Sequence, residues 1–505
     1  MAQHVKLNME VLKPIRSFNP RLMSYNVEMT EVTGGTFWKE FTPGQIAGTE
    51  PFVVDPNAKT YSEITKSMVQ WYNPVDLTNP RLRKLAKELG SCWIRVSGTW
   101  ATKTYYDLDG KMGGKAPEGF ENVLTREQWL GVLDFVKAMD GKLLISIANC
   151  AGQHSAHEPL PMDEAKKIFE LSKEYGVPIE AAEFMNEPNM LVSSGAPEGY
   201  TAADYARDQD IFFGWLKENY PEVLIVGPCG GYGTAESQKK ASGGGGIQTM
   251  FSICTNDDLL EGTKVPMDVW SYHIYAGISD RMAPVMPSRH WGAARALDED
   301  YLDFPINGAR ISCPARDQHV PGGEMWVTET ADSGAGGSSW ASTYLDVPRT
   351  LNELAGFVTV TDGVLFHNTL CSSDYGYLRH STFEPRPSYF AVKLWQDLVG
   401  NTCYDSGIPV EMGKHVYCHS RKDGKDGFVY IVINNSRTES TTVELPKDAV
   451  KYILDGNGDL RNTVMYLNGR PLVLGENDEL PDLSGEAVAA GTVELAPGAC
   501  AFFVL

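Results

Sequence analysis

A chain of 505 residues, 42% of them apolar and 22% charged, has the makeup of an ordinary globular protein and is long enough for one large barrel with an appended domain. No stretch approaches the roughly 18 consecutive apolar residues that span a bilayer. A formal charge of −21 argues against nucleic acid or anionic membrane as partner, since both are bound chiefly through Lys and Arg, and nine scattered cysteines without a C-x-x-C pair indicate neither a zinc site nor a disulfide framework.

The opening MAQHVKLNMEVLKPI lacks the apolar centre of a signal peptide. The protein is therefore expected in the cytoplasm, or secreted or periplasmic if a leader has been removed. Residues 1–17 include the alternating run His4 to Val11, which is expected to pair with strands at the far end of the chain.

From residue 18 to 400, short β-branched runs alternate with longer amphipathic stretches. Eight strands are predicted: Leu22 to Val27, Cys92 to Val96, Leu143 to Ala148, Ile179 to Met185, Val223 to Gly227, Met267 to Tyr275, Met325 to Thr330 and Gly363 to His367. Helices are predicted over Pro80 to Leu89, Arg126 to Met139, Met162 to Tyr175, Ala202 to Tyr220, Ile247 to Cys254, Trp340 to Leu354 and Tyr389 to Val399. Thr125 and Gln128 form a capping-box signature for the second of these, with Leu124 and Trp129 as its staple. Eight such units imply a (β/α)8 TIM barrel, whose site gathers at the carboxyl ends of the strands.

Three connections, Thr30 to Val75, Gly230 to Gly246 and Ala276 to Gly323, are long enough to build walls or lids. The last carries Arg281, Arg289, His290, Arg295, Arg310 and Arg316, which reads equally as a surface for an anionic substrate or as a solvated loop of mixed charge. From 401 to 505 the runs His415 to His419, Phe428 to Ile433, Thr441 to Leu445, Thr463 to Leu467 and Ala499 to Leu505 are separated by Gly, Asn and Asp turns. They predict a C-terminal β-sandwich domain completed by the N-terminal segment.

Two predicted strands end in acids. The run Ile179 to Met185 leads into Asn186-Glu187-Pro188, and Met325 to Thr330 delivers Glu329 before the small residues of ADSGAGG. Glycoside hydrolysis needs one carboxyl protonated and another ionised, which only their surroundings can arrange. Glu187 is assigned as general acid and base and Glu329 as nucleophile, with Asn186 beside the bond and Tyr275 donating to Glu329 from the segment HIY, which also contains His273. A Glu at one strand end is more often an ion-pair partner, but the fourth and seventh strands together make a pair. Retention of configuration requires their carboxyls about 5 to 5.5 Å apart.

With RVSGT (Arg95 to Thr99), NEP, Glu329-Thr330 followed by GAGG, DYGYL (Asp374 to Leu378), FEPRPSYF (Phe383 to Phe390) and the closing AFFVL in order, the sequence resembles glycoside hydrolase family 79, the heparanase and β-glucuronidase group. The resemblance covers nearly the whole chain and implies a retaining hydrolase of β-linked glucuronic acid. It also implies that the uronate carboxylate is held by backbone amides of Ala335, Gly336 and Gly337 and by a tyrosine, Tyr375 or Tyr377. Ala335 departs from an all-glycine segment, and the acidic composition favours chain ends or small glucuronides over a long sulfated chain. A β-glycosidase for a neutral sugar and a non-catalytic carbohydrate-binding barrel are the alternatives.

No cofactor is expected. SGGGG at Ser242 to Gly246 lacks the Lys-Ser/Thr of a phosphate loop, and His154 and His157 lack a third metal ligand and read as a pocket-lining loop. Trp93, Trp270 and Trp326 are expected in the core, and Trp100, Trp291 and Trp340 are candidates for stacking on a sugar.

Overall fold

The computed structural model describes residues 3–55, 57, 61–231, 253–284 and 286–505. Eight parallel strands close into a barrel: β1 (Met23–Glu28), β2 (Trp93–Ser97), β3 (Lys142–Ser146), β4 (Ala181–Glu183), β5 (Leu224–Gly230), β6 (Val269–Ile278), β7 (Met325–Gly334) and β8 (Gly363–His367). β8 pairs back onto β1. The near-continuous apolar runs follow from burial on both faces, against helices outside and against one another inside.

Alternation along the strands decides what each side meets. Ile94, Val96, Leu143, Ile145, Tyr25 and Val27 join the large core under the helices. Trp93, Leu144, Ala181, Val226, Val269, Trp326, Val364 and Phe366 form a separate cluster that plugs the barrel interior. Full burial of each large side chain stabilises by about 1.5–3 kcal/mol. Two residues beyond members of this plug, on the same inward faces, come Arg95 and Glu183, and four beyond Val269 comes His273. The interior changes from apolar plug to polar floor.

The helix over Arg126–Ala138 starts as its sequence signals, with Thr125 and Gln128 exchanging hydrogen bonds and Trp129 buried. The loop expectation for Ala276 to Gly323 is corrected: Glu299–His319 is a 21-residue helix. Pro305 and Pro314 inside it and a weak apolar periodicity hid it. The helix expected from Trp340 begins at Asp346 and runs to Val360. The predicted helix at Ile247 to Cys254 and the loop Gly230 to Gly246 fall almost wholly outside the described residues.

The C-terminal strands form two sheets. Gln3–Lys6 lies parallel to Thr441–Leu445 in a three-stranded sheet, and Lys13–Ser17 pairs antiparallel with Val399–Asp405 at the end of a nine-stranded one. Val5, Leu7, Val416, Tyr430, Val443, Leu495 and Phe503 pack between them, so the N-terminal segment completes the sandwich. The other face of the large sheet, with Ile431, Ile433 and Phe502, joins the barrel's core. No helix among the described residues is long and apolar enough to cross a membrane.

Candidate active site

At the carboxyl ends of the strands lies a cavity of about 750 Å³, bordered by Glu28, Asn186, Glu187, His273, Tyr275, Glu329, Asn368 and Tyr375. Glu329 faces it because β7 bulges. Tyr272 pairs with Val327 but His273 pairs with Glu329, leaving Thr328 as an extra residue and turning the carboxylate inward. Glu187 takes a left-handed conformation, φ 43° and ψ 55°, at the Asn-Glu-Pro corner. That is costly for a residue with a Cβ, and it turns the chain sharply at the rim.

Arg95, fully buried, organises the floor. It donates from Nε to Glu183 (2.9 Å), from Nη1 to Glu329 (3.0 Å) and from Nη2 to Asn186 Oδ1 (2.8 Å). Ser97 (2.8 Å) and Cys229 (2.8 Å) also donate to the Glu183 carboxylate. One guanidinium thus serves two carboxylates, which its planar fork of donors permits and a lysine would not.

The two principal acids sit in different surroundings. Glu329 accepts from Tyr275 Oη at 2.8 Å and lies 3.6 Å from His273 Nδ1. Burial pushes its pKa up, but His273, Arg95 and Tyr275 outweigh burial and hold it below the usual carboxylate value. Glu187 is more open, with 19% of its side chain exposed against 9% for Glu329, and has His273 Nδ1 at 3.2 Å. Ligand atoms of Glu187, His273 and Glu329 all lie within 4.8 Å of one another.

Two carboxylates and an imidazole at that spacing are donors that hold metals elsewhere. Here the Arg95 guanidinium faces His273 Nε2 at 3.4 Å, so Nε2 is assigned as acceptor and Nδ1 carries the proton, directed at the two glutamates. A ligating Nδ1 would need the opposite tautomer and an acceptor where Arg95 stands, so the cluster is not built for a metal.

A third acid, Glu28 at the end of β1, borders the same cavity. Burial, then the neighbouring Glu329, pushes its pKa well above the ordinary carboxylate value. Gly98 makes room for it: a Cβ there would stand 1.6 Å from Glu28 Oε2, and φ is +90°. Asn368, following β8, donates to both Tyr275 Oη and Tyr375 Oη at 3.1 Å, joining the support of Glu329 to the opposite wall.

No family model matches the chain. Among curated proteins, the hyaluronoglucuronidase of Hirudo nipponia is 24% identical over 475 residues, spanning 85% of this chain and 90% of that protein. Heparanase-like protein 1 of Arabidopsis thaliana is 22% identical over 412 residues, 79% of this chain and 71% of that protein. The chain is a homologue of the heparanase-like proteins of glycoside hydrolase family 79. Its fold also matches a solved 4-O-α-L-rhamnosyl-β-D-glucuronidase of Fusarium oxysporum, with TM-score 0.62 at 12% identity, covering 99% of this chain and 100% of that one.

Of the site residues expected from the sequence, the cavity brings together Asn186, Glu187, His273, Tyr275, Glu329, Ala335 and Tyr375. Three stand elsewhere. Tyr377 is buried behind the wall, stacked 3.8 Å from the His367 ring, because two residues along an irregular turn bring it to the other side. Gly336 and Gly337 lie behind Ala335, packed so closely on Trp38, Ser373 and Tyr375 that a Cβ on either would come within 3.0 Å of them. Their φ values of +84° and +80° follow a +64° at Ala335.

Further corrections concern the loops. His154 bonds Asn149 and the Glu158 carbonyl, and His157 pairs with Asp204, so neither borders the cavity. The six basic side chains between β6 and β7 mostly fit the mixed-charge alternative: Arg289 borders the cavity, Arg281 is buried, and His290, Arg295, Arg310 and Arg316 pair with Asp280, Asp298, Asp303 and Asp317. Trp100 lines the cavity, whereas Trp340 is core, edge-on to Tyr301. Sequence reasoning missed Glu28, Arg95 and Asn368 as site residues. The first and last were findable by the rule applied to Glu187 and Glu329, a polar side chain at the carboxyl end of an apolar run.

Proposed function

We propose that the protein is a retaining glycoside hydrolase that cleaves β-linked glucuronic acid, with Glu329 as nucleophile and Glu187 as general acid and base. The observation that carries this reading is the spacing of the two carboxylates, whose facing oxygens lie within 4.8 Å across one cavity. Inverting enzymes keep about 6.5–9.5 Å for a water, so the short gap favours a covalent intermediate. Glu329, held ionised by Arg95 and Tyr275, attacks the anomeric carbon while Glu187 protonates the departing oxygen. Glu187 then takes a proton from the water that releases the sugar.

Glucuronic acid is favoured over a neutral sugar by the homology to a hyaluronoglucuronidase and to heparanase-like proteins. In this reading the sugar carboxylate meets the Ala335 amide and Tyr375 Oη, while Glu28 and the Asn186 amide bind ring hydroxyls. The outer wall of Trp38, Trp100, Met190, Ile278 and Met286 is largely apolar, which suits a chain end or a small glucuronide better than a long sulfated polymer.

Parallel assays on nitrophenyl β-glucuronide and nitrophenyl β-glucoside test the reading. Hydrolysis of the first, abolished by Glu329→Gln, is the expected result. Preference for the glucoside would sink the uronate assignment, and turnover of neither would favour a binding protein.

A further inference from the structure

Two buried arginines outside the cavity grip the two loops that face the proposed sugar carboxylate. Arg281 donates from Nη1 to the carbonyl oxygens of Ala335 (3.4 Å), Gly336 (3.3 Å) and Gly337 (2.8 Å), and from Nη2 to the Lys39 carbonyl and the Asp374 carboxylate. Its guanidinium lies 3.8 Å over the Phe41 ring. Arg386 does the same for the opposite loop, donating from Nη1 to the carbonyls of Ser373 (2.6 Å), Asp374 (2.8 Å) and Gly376 (3.0 Å), which flank Tyr375. Asp374 joins the two, its carboxylate bound by Arg281 and its carbonyl by Arg386.

A peptide's carbonyl and amide point in opposite directions, and consecutive left-handed residues align them. Gathering the carbonyls of 335–337 on Arg281 therefore fixes the peptide units that carry the amides of Gly336, Gly337 and Ser338, while the Gly334 carbonyl, which shares its peptide with the Ala335 amide, accepts from the Ser279 N–H at 3.0 Å. Ser338 donates to Asp332 at 2.8 Å, and the amides of Ala335, Gly336 and Gly337 donate to no protein acceptor among the described residues. Tyr375 is fixed similarly, with its backbone held on both sides and its carbonyl taken by His367 Nε2 at 2.6 Å.

We propose that Arg281 and Arg386, coupled through Asp374, are positioning residues that set specificity for the sugar carboxylate by holding Ala335 and Tyr375, the two cavity-wall residues that meet it, in place without touching substrate. This rests on the glucuronide reading above. The guanidinium fork serves the three carbonyls from Nη1 and the Lys39 carbonyl and Asp374 from Nη2, whereas a lysine ammonium offers a point charge with no fork.

The test compares Arg281→Lys and the charge-balanced double variant Arg281→Met/Asp374→Asn with the wild type. The readouts are the Ki values for a glucuronic-acid-configured iminosugar and its neutral glucose-configured counterpart, with Tm as a check on folding. In both variants the Ki for the uronic compound is expected to rise roughly tenfold or more, the loss of one charge-assisted hydrogen bond, with Arg281→Lys retaining part of the affinity. The neutral compound is expected to bind within about twofold of wild type. Equal loss of both ligands, or no loss in a folded variant, overturns the proposal. If the double variant does not fold, Arg281→Lys, which keeps the charge but not the fork, decides alone. A wild type that turns over no glucuronide overturns the functional reading and this proposal with it.

Discussion

Replacing Tyr275 with Phe removes one hydroxyl and leaves the ring that walls the cavity. That hydroxyl donates to Glu329 Oε2 at 2.8 Å, and it is one of three partners opposing burial to keep the carboxylate ionised. A hydrogen bond to a charged acceptor contributes about 1.5–3 kcal/mol. That energy favours the ionised form alone, so losing it raises the Glu329 pKa. Arg95, at 3.0 Å, still limits the rise, and Asn368 keeps Tyr375 Oη as a partner.

The sign follows from which form reacts. The nucleophile is the ionised form, so activity appears as pH rises through the Glu329 pKa, and a raised pKa moves the acid limb of kcat/KM to higher pH. The assay is a pH profile of kcat/KM on nitrophenyl β-glucuronide for both proteins. A limb that does not move, or moves to lower pH in a folded variant, would refute the assignment of Glu329 as the acid-limb group and of Tyr275 as its donor.

Glu329→Gln is expected to lower kcat about 10⁴-fold or more, because nothing else in the cavity replaces the nucleophile. Glu187→Gln should cost about 10²–10⁴-fold, with the larger loss on substrates whose leaving group most needs protonation. Gly98→Ala places a methyl where the Glu28 carboxyl lies, in a backbone conformation that disfavours any side chain, so both Tm and kcat/KM are expected to fall. Wild-type Tm would refute the packing argument. Glu31 is raised by burial from 4.5 to about 7, so its contribution to stability is present below its unfolded value and is lost as pH rises through about 7. The Tm of Glu31→Gln relative to wild type is therefore expected to improve between pH 5 and 8, and a constant gap would count against it.

The barrel was legible because its strands are apolar on both faces and its helices carry start signals, as at Thr125. Strand alternation fixes the inward parity of Arg95, Glu183 and His273, so their convergence follows from the sequence once the barrel is assumed. Glu329 breaks that parity. With Trp326 inward, regular alternation would turn Thr328 inward and Glu329 out, and only the bulge at Thr328 reverses it. No residue type marks such a bulge in advance. Arg281 misled for a different reason, since a basic residue in a long loop of an acidic protein resembles a ligand for an anion, while its partners, three carbonyls and Asp374, come from other elements. Tyr377 was a choice of two residues within one turn that spacing alone does not resolve.

The central claim is that Glu329 forms a covalent bond to the sugar while Glu187 serves the leaving group. Incubation with a 2-deoxy-2-fluoro-glucuronyl fluoride, followed by mass spectrometry of the digested protein, tests it most directly. Time-dependent inactivation with one glucuronyl unit on the peptide containing Glu329 is the expected result. A label on Glu187 or Glu28, or turnover that releases the inverted sugar with no label at all, would contradict it.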